Sequence, residues 1–188
     1  MRVIAGTCRG KKLFAPTGVT TRPTSDRVKE SLFSVLTSRI DFADIRVLDI
    51  CGGTGSLGIE AFSRGAGSCC FIEKDPSVKL ILEKNLSVTG YQSRSTVLPM
   101  DAVAALHLVA GRGQSFDLVF FDPPYDSELL YQRVLDALDM PYLLTPDSIV
   151  VAECSVRNGL AESYGRLRRF DRRVYGETSL ELFSLEKK

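Results

Sequence analysis

Residues 45–61 read IRVLDICGGTGSLGIEA: an apolar run ending in an acid, a glycine-rich turn, then apolar residues at helical spacing. IRVLDI is a strand candidate. Gly53, Gly55 and Gly58 satisfy the G-x-G-x-x-G pattern of a tight strand-to-helix turn, and SLGIEAFSRGAG predicts a helix closed by Gly65. Outward from this unit the pattern repeats. CCFIEKD predicts a second strand, and Asp75 caps a helix that carries Pro76 in its first turn and runs through SVKLILEKNLSVT to a stop at Gly90. STVLPMD, the apolar helix AVAALHLVA, FDLVFFD, the helix SELLYQRVLDAL and the strand SIVVAEC follow. Strands separated by helices of this length predict parallel βαβ units, which place ligands at the carboxyl ends of the strands. The fold class is therefore α/β, with a Rossmann-like, mostly parallel sheet. RLRRFDRRVYGETSLELFSL holds two alternating runs around Gly176 and predicts an antiparallel C-terminal edge hairpin. RVIAGTCRGKKLFAP predicts a small, separate N-terminal hairpin bent at Gly10, so the chain divides into a basic extension, residues 1–20, and a main domain, residues 21–188.

The chain's 188 residues, 44% hydrophobic and 25% charged, suit one globular domain with a full core. The apolar run at the N-terminus is too short for a signal peptide, and no stretch approaches the ~20 apolar residues that span a bilayer. A soluble cytoplasmic protein with no membrane partner is expected, and a monomer. The cysteines (Cys8, Cys51, Cys69, Cys70, Cys154) show no CxxC spacing, and the only histidine is His107, so neither metal nor disulfide is expected. The net charge of +1 is unevenly spread. Residues 1–30 hold seven Lys/Arg and two acids, a net of +5; residues 31–156 hold nine and sixteen, a net of −7; residues 157–188 hold eight and five, a net of +3. The basic ends fit either a solvated surface or an anionic partner.

The glycine turn alone suggests a dinucleotide, since Glu73 stands twenty residues past Gly53, where a ribose-binding acid belongs. Charge argues otherwise. Asp49, Glu73, Asp101 and Asp122 all fall at or near the ends of predicted strands, so four acids would line one edge of the sheet and repel a pyrophosphate. S-adenosylmethionine has no phosphate; its sulfonium, ribose diol and adenine amino group are all groups that acids receive. FFDPPYD, residues 120–126, ends the fourth strand with an acid and two prolines. Proline lacks a backbone donor and keeps the preceding residue out of the helical region, so Asp122-Pro123-Pro124 is rigid and displays bare carbonyls.

VLDICGGTGSLGIEA, FIEKD, MDA and FDLVFFDPPY, in that order, resemble the motifs of class I S-adenosylmethionine-dependent methyltransferases. Within them the chain resembles the bacterial 16S ribosomal RNA guanine-N2 methyltransferase family usually called D, through IAGTCRGKKL, TRPTSDRVKESLF, SRGA and YGET. One departure is Cys51-Gly52, where the family more often has a bulkier residue followed by Ala or Ser. The resemblance implies a seven-stranded sheet, S-adenosylmethionine as methyl donor with S-adenosylhomocysteine as product, and N2 methylation of a guanine of the 966 type in 16S ribosomal RNA, held in an assembled small ribosomal subunit. It also implies roles. Gly53 and Gly55 let the backbone approach the methionine part of the cofactor, Asp49 braces the loop or receives the amino group, Glu73 takes the ribose hydroxyls and Asp101 the adenine amino group. Arg22 and Thr24 close over the site. Asp122 and the Pro123 carbonyl each accept an N–H of the target amine, and Tyr125 stacks on the flipped base. Arg2, Arg9, Lys11 and Lys12 in the extension would hold the RNA, with the C-terminal arginines as the alternative.

Plainer roles exist for several of these residues: Asp101 could simply cap the helix at Ala102, and Arg22 could be a surface charge. Other functions also compete. DPPY serves any planar exocyclic amine, so an adenine-N6 methyltransferase is the main rival, although the chain lacks room for a sizeable target-recognition domain. A protein-glutamine methyltransferase typically has Asn in place of Asp122. A non-catalytic RNA-binding assembly factor would bind RNA without turning over a methyl donor.

Overall fold

The computed structural model describes residues 1–16, 26–123, 128–157 and 159–186. Its strands are β1 (Arg46–Ile50), β2 (Ser68–Ile72), β3 (Ser95–Leu98), β4 (Phe116–Phe121), β5 (Leu144–Ser155), β6 (Ser163–Tyr164), β7 (Leu167–Tyr175) and β8 (Thr178–Leu185). They form one sheet in the order β3-β2-β1-β4-β5-β8-β7-β6. The first five pair in parallel, and the last three join antiparallel. The helices are α1 (Asp26–Thr37), α2 (Ser56–Ser63), α3 (Pro76–Thr89), α4 (Ala102–Gly111) and α5 (Glu128–Ala137). Asp75 caps α3 as expected, accepting from the N–H groups of Ser77 and Val78, with Gly90 left-handed at the other end.

Two features go beyond the seven strands and edge hairpin expected. The eighth strand, β6, is only two residues long and pairs with Leu167 and Arg168 alone, so it covers just the beginning of β7's outer edge. The hairpin's second strand, β8, is not at the edge but lies between β5 and β7. With neighbours on both sides and packing on both faces, it is buried continuously from Thr178 to Phe183, not at alternate positions.

The sheet sits between two helical layers. Leu48, Ile50, Ile72, Val119 and Phe121 point to α4 and α5; Val47, Phe71, Leu118 and Phe120 point to α1, α2 and α3. From β1 the chain winds outward through β2 and β3, then returns to place β4 on the other side of β1. In open α/β sheets ligands bind at such a reversal, which here falls at the carboxyl ends of β1 and β4.

Residues 1–16 turn back on themselves at Gly10 through one antiparallel bridge, Arg2 to Lys12. This arm lies outside the sheet, yet it is anchored to the core. Val3 and Leu13 are buried in the α1–α2 layer, and Ser63 bonds to Ala5, Thr7 and Cys8. A Cβ on Gly6 would fall 1.7 Å from the Ser63 carbonyl oxygen, so only glycine permits this approach. With the sheet on one side and the arm on the other, α2 is buried from Leu57 through Ser63. Removing the arm would uncover that helix.

Candidate active site

The strand register builds the site. Ile50 pairs with Ile72 and with Phe121, and Ile72 with Leu98, so the four strands end level with one another. The residues one step beyond, Cys51, Glu73 and Asp122, therefore emerge side by side, and Asp101 follows a short turn after β3. Asp122 is held beside β1 by its N–H, which donates to the Ile50 carbonyl at 3.4 Å, and Pro123 behind it is buried.

Asp49, one residue inside β1, is 1% exposed and accepts the Gly58 N–H at 3.0 Å through Oδ2. It braces the first turn of α2 across the glycine loop. Burial pushes its pKa from 3.8 up to about 7, and the nearby charge of Glu73 adds to this against the pull of the Gly58 bond. Glu73 accepts the Gly53 N–H at 3.0 Å through Oε2 and the Asp75 N–H at 2.8 Å through Oε1, tying the loop to the start of α3. Asp101 accepts from the N–H groups of Val103 (3.0 Å) and Ala104 (3.2 Å), both through Oδ1. It fills the plainer role of a helix cap.

Cys51 shows how closely these charges gather. Its thiol is pushed up to about 12, first by burial and then by Glu73, Asp122 and Asp49, partly offset by Lys74. Its φ of 59° is a left-handed backbone that side-chain-bearing residues rarely adopt, so the turn is strained where the acids meet. The glycines divide the remaining work. A Cβ on Gly55 (φ 78°) would lie 2.4 Å from Leu82 Cδ1, and one on Gly58 2.4 Å from Phe71 Cε1, so these two allow close packing. At Gly53 (φ 55°) the nearest atom to such a Cβ is the Cys51 oxygen at 3.8 Å. Among the described residues that face of the loop is open.

Two buried polar side chains behind the loop were missed by sequence reasoning. Asn85 donates to the Thr54 carbonyl (2.9 Å) and the Phe14 carbonyl (3.0 Å) and accepts the Phe14 N–H (2.7 Å). Lys29 donates to Ser56 Oγ (3.0 Å) and the Arg2 carbonyl (2.7 Å) and stands 3.7 Å from Glu60. Burial lowers the Lys29 pKa, with Glu60 and Asp26 opposing. Glu60 in turn accepts the N–H groups of Ile4 (2.7 Å) and Ala5 (3.0 Å) and pairs with Arg64 at 2.9 Å. A signal was present: Lys29 falls in the buried stripe Lys29, Leu32, Phe33, Leu36, and Asn85 in the stripe Leu82, Asn85, Leu86, Thr89.

Arg22, Thr24 and Tyr125 lie outside the described residues. Of the basic residues named above, Arg2 pairs with Asp26 at 2.9 Å, while Arg9, Lys11 and Lys12 are exposed and enter no ion pair among the described residues. The C-terminal arginines are engaged: Arg166 with Asp139, Arg168 with Glu186, Arg169 and Arg172 with Glu181, and Arg173 with Asp171. Among the described residues no group of three His, Cys, Asp or Glu could hold a metal, and no helix is long and apolar enough to cross a membrane.

A reversed parallel sheet with an antiparallel end, a glycine loop after β1 and acids at successive strand ends define a class I methyltransferase. Comparison with known proteins agrees. The family model described as "Conserved hypothetical protein 95" matches residues 1–184, and the chain belongs to that family. It is similar to "Ribosomal RNA small subunit methyltransferase D" of Escherichia coli (strain K12), 34% identical over 186 residues, 99% of this chain and 90% of that one. The protein of the same name from Haemophilus influenzae is 36% identical over 154 residues, 81% of this chain and 78% of that one. Among solved structures, yhhF from Escherichia coli superposes with a TM-score of 0.85 at 33% identity, covering 100% of this chain and 99% of that one.

Proposed function

We propose that the chain transfers a methyl group from S-adenosylmethionine to the exocyclic N2 of a guanine in 16S ribosomal RNA, acting as a cytoplasmic monomer on an assembled small-subunit particle. The observation that carries this reading is the row of carboxylates at the level ends of β2, β1 and β4, beside a glycine loop whose face at Gly53 is open among the described residues. The donor set fits this cofactor: it offers acceptors to a sulfonium compound with hydroxyl and amino groups, and it would repel a pyrophosphate. When bound, S-adenosylmethionine supplies an electrophilic methyl on a sulfonium cation.

In this reading the chain's residues divide the work. Each Glu73 oxygen already accepts one backbone N–H, which leaves each a second lone pair for a ribose hydroxyl. Asp49 braces the loop through Gly58 or receives the amino group of the methionine part, which approaches the backbone at Gly53, beside Gly55 with its close packing on Leu82. The Oδ2 of Asp101, which accepts no bond among the described residues, takes the adenine amino group, while Arg22 and Thr24 close over the site. Asp122 and the Pro123 carbonyl accept the two N–H groups of the guanine amine. Its lone pair, otherwise delocalised into the ring, is thereby turned toward the methyl group, so positioning and charge placement supply most of the help. The nitrogen would gain the methyl as the methyl–sulfur bond breaks, leaving the neutral thioether S-adenosylhomocysteine, and would lose one proton, which Asp122 would receive. Tyr125 stacks on the base, and Arg9, Lys11 and Lys12 hold the phosphates together with Arg2. That the relatives' printed names refer to the small-subunit ribosomal RNA supports the choice of substrate.

The test is incubation with labelled S-adenosylmethionine and undermodified small-subunit particles or naked RNA, followed by mass spectrometry of the digested nucleosides. N2-methylguanosine, formed faster on particles, is expected. An Asp-Pro acceptor pair serves any planar exocyclic amine, so N6-methyladenosine would move the chain to the rival reading, and binding without label transfer would make it an assembly factor.

A further inference from the structure

The arm and the cofactor loop are one mechanical unit. Three links run from residues 1–16 to the two residues that flank Gly55. Thr54 Oγ1 donates to Met1 Sδ at 3.5 Å. Asn85 bonds at once to the Thr54 carbonyl and to both backbone groups of Phe14. Lys29 bonds at once to Ser56 Oγ and to the Arg2 carbonyl. Asn85 and Lys29 are both fully buried, so water cannot take over a bond that either one loses. The loop that ends at these links is left-handed at Cys51, Gly53 and Gly55 and is therefore poorly held by its own backbone preferences.

We propose that Asn85 and Ser56 are positioning residues that couple the arm to the loop, so that RNA held on the arm and cofactor bound at the loop strengthen each other. This rests on the function proposed above. RNA that immobilises Arg9, Lys11 and Lys12 also immobilises Arg2 and Phe14 in the same short arm. Through Lys29 and Asn85 that restraint reaches Ser56 and Thr54, and less freedom remains to be lost when the loop receives its ligand. Linkage requires the effect to be equal in both directions.

The test measures that equality with the full chain. Binding of radiolabelled S-adenosylhomocysteine is followed by equilibrium dialysis with and without saturating undermodified small-subunit particles, and particle binding by filter retention with and without S-adenosylhomocysteine. Wild type should show the same strengthening in both directions, about 5-fold or more. In Asn85→Ala the factor should fall toward one. A purely structural role would lower the melting temperature and weaken both ligands at an unchanged factor, and that result overturns the proposal. Ser56→Ala guards against misfolding, because Lys29 keeps its bond to Arg2 and its partner Glu60. Its factor should also fall, and an unchanged factor there overturns the proposal even if Asn85→Ala does not fold. A wild-type factor of one refutes the coupling alone, with the proposed function intact. Failure to bind S-adenosylhomocysteine at all refutes both.

Discussion

Replacing Asp49 with Asn removes one buried ionisation and little else, because an amide oxygen can still accept the Gly58 N–H. The native carboxyl has a pKa of about 7 against its ordinary 3.8. The native protein therefore holds a proton that the unfolded chain releases over that whole interval, and its stability falls as pH rises through it, levelling off above about 7. At ~1.4 kcal/mol per pH unit the full interval amounts to about 4 kcal/mol. Urea unfolding at several pH values between 5 and 8 should thus show wild type losing roughly 2 to 3 kcal/mol relative to Asp49→Asn between pH 5 and 7, with the two curves parallel above pH 8. A cation placed against Asp49 favours its charged form, so cofactor binding near pH 6.5 should release a proton. Calorimetry in buffers of different ionisation enthalpy would detect this in wild type and not in the variant. Parallel stability curves over the whole range would show that Asp49 is ionised throughout and that its burial carries no such penalty.

Asp122→Ala should lower single-turnover methyl transfer by about two orders of magnitude or more while leaving S-adenosylhomocysteine affinity nearly unchanged; a wild-type rate would remove Asp122 from the mechanism. Changing Arg9, Lys11 and Lys12 together to Ala should weaken RNA binding and flatten its salt dependence by ~0.7 to 0.9 in log-log slope for each phosphate no longer neutralised, with the melting temperature unchanged. Arg169→Ala with Arg172→Ala should instead destabilise the fold, because it strips the fully buried Glu181 of its ion-pair partners; a loss of roughly 3 kcal/mol or more by urea unfolding is expected. Glu60→Gln should cost a similar ~3 kcal/mol and make residues 1–16 sensitive to protease, since Lys29 and Arg64 lose their shared acid. A stable, protease-resistant variant would refute that account of how the arm is anchored.

The elements that carry the site were legible because each is specified locally. Asp75, Pro76 and Gly90 mark both ends of α3 within its own residues, and the glycines of the β1–α2 turn are fixed by backbone angles and by contact with Leu82 and Phe71. The four acids could be aligned from sequence because parallel strands that feed similar helices end at a common edge, as the register of Ile50, Ile72, Leu98 and Phe121 shows. The placement of β8 was not local information. Nothing within Thr178–Leu185 states that the strand will be inserted beside β5; its uninterrupted burial is a consequence of that insertion, which depends on residues far away in the chain.

The docking of the arm was not legible for a related reason. Its charges, Arg2, Arg9, Lys11 and Lys12, are visible in sequence, whereas the groups that fix it are mostly backbone N–H and carbonyl groups of Arg2, Ile4, Ala5 and Phe14, which every sequence possesses. What could have been seen was the other half of each bond. A lysine on the apolar stripe of α1, an asparagine on that of α3 and a glutamate in the middle of the buried α2 cannot be buried without partners. Three such residues require donors and acceptors from some segment not already paired in the sheet. The N-terminal stretch pairs with itself between its two limbs and leaves backbone groups of Arg2, Ile4, Ala5 and Phe14 to supply them. The polar residues in the stripes thus specify that the arm must dock, and because Asn85 and Lys29 also bond the glycine loop, they specify where. The arm proposed to grip RNA is docked by the same two side chains that bond Thr54 and Ser56 on either side of Gly55.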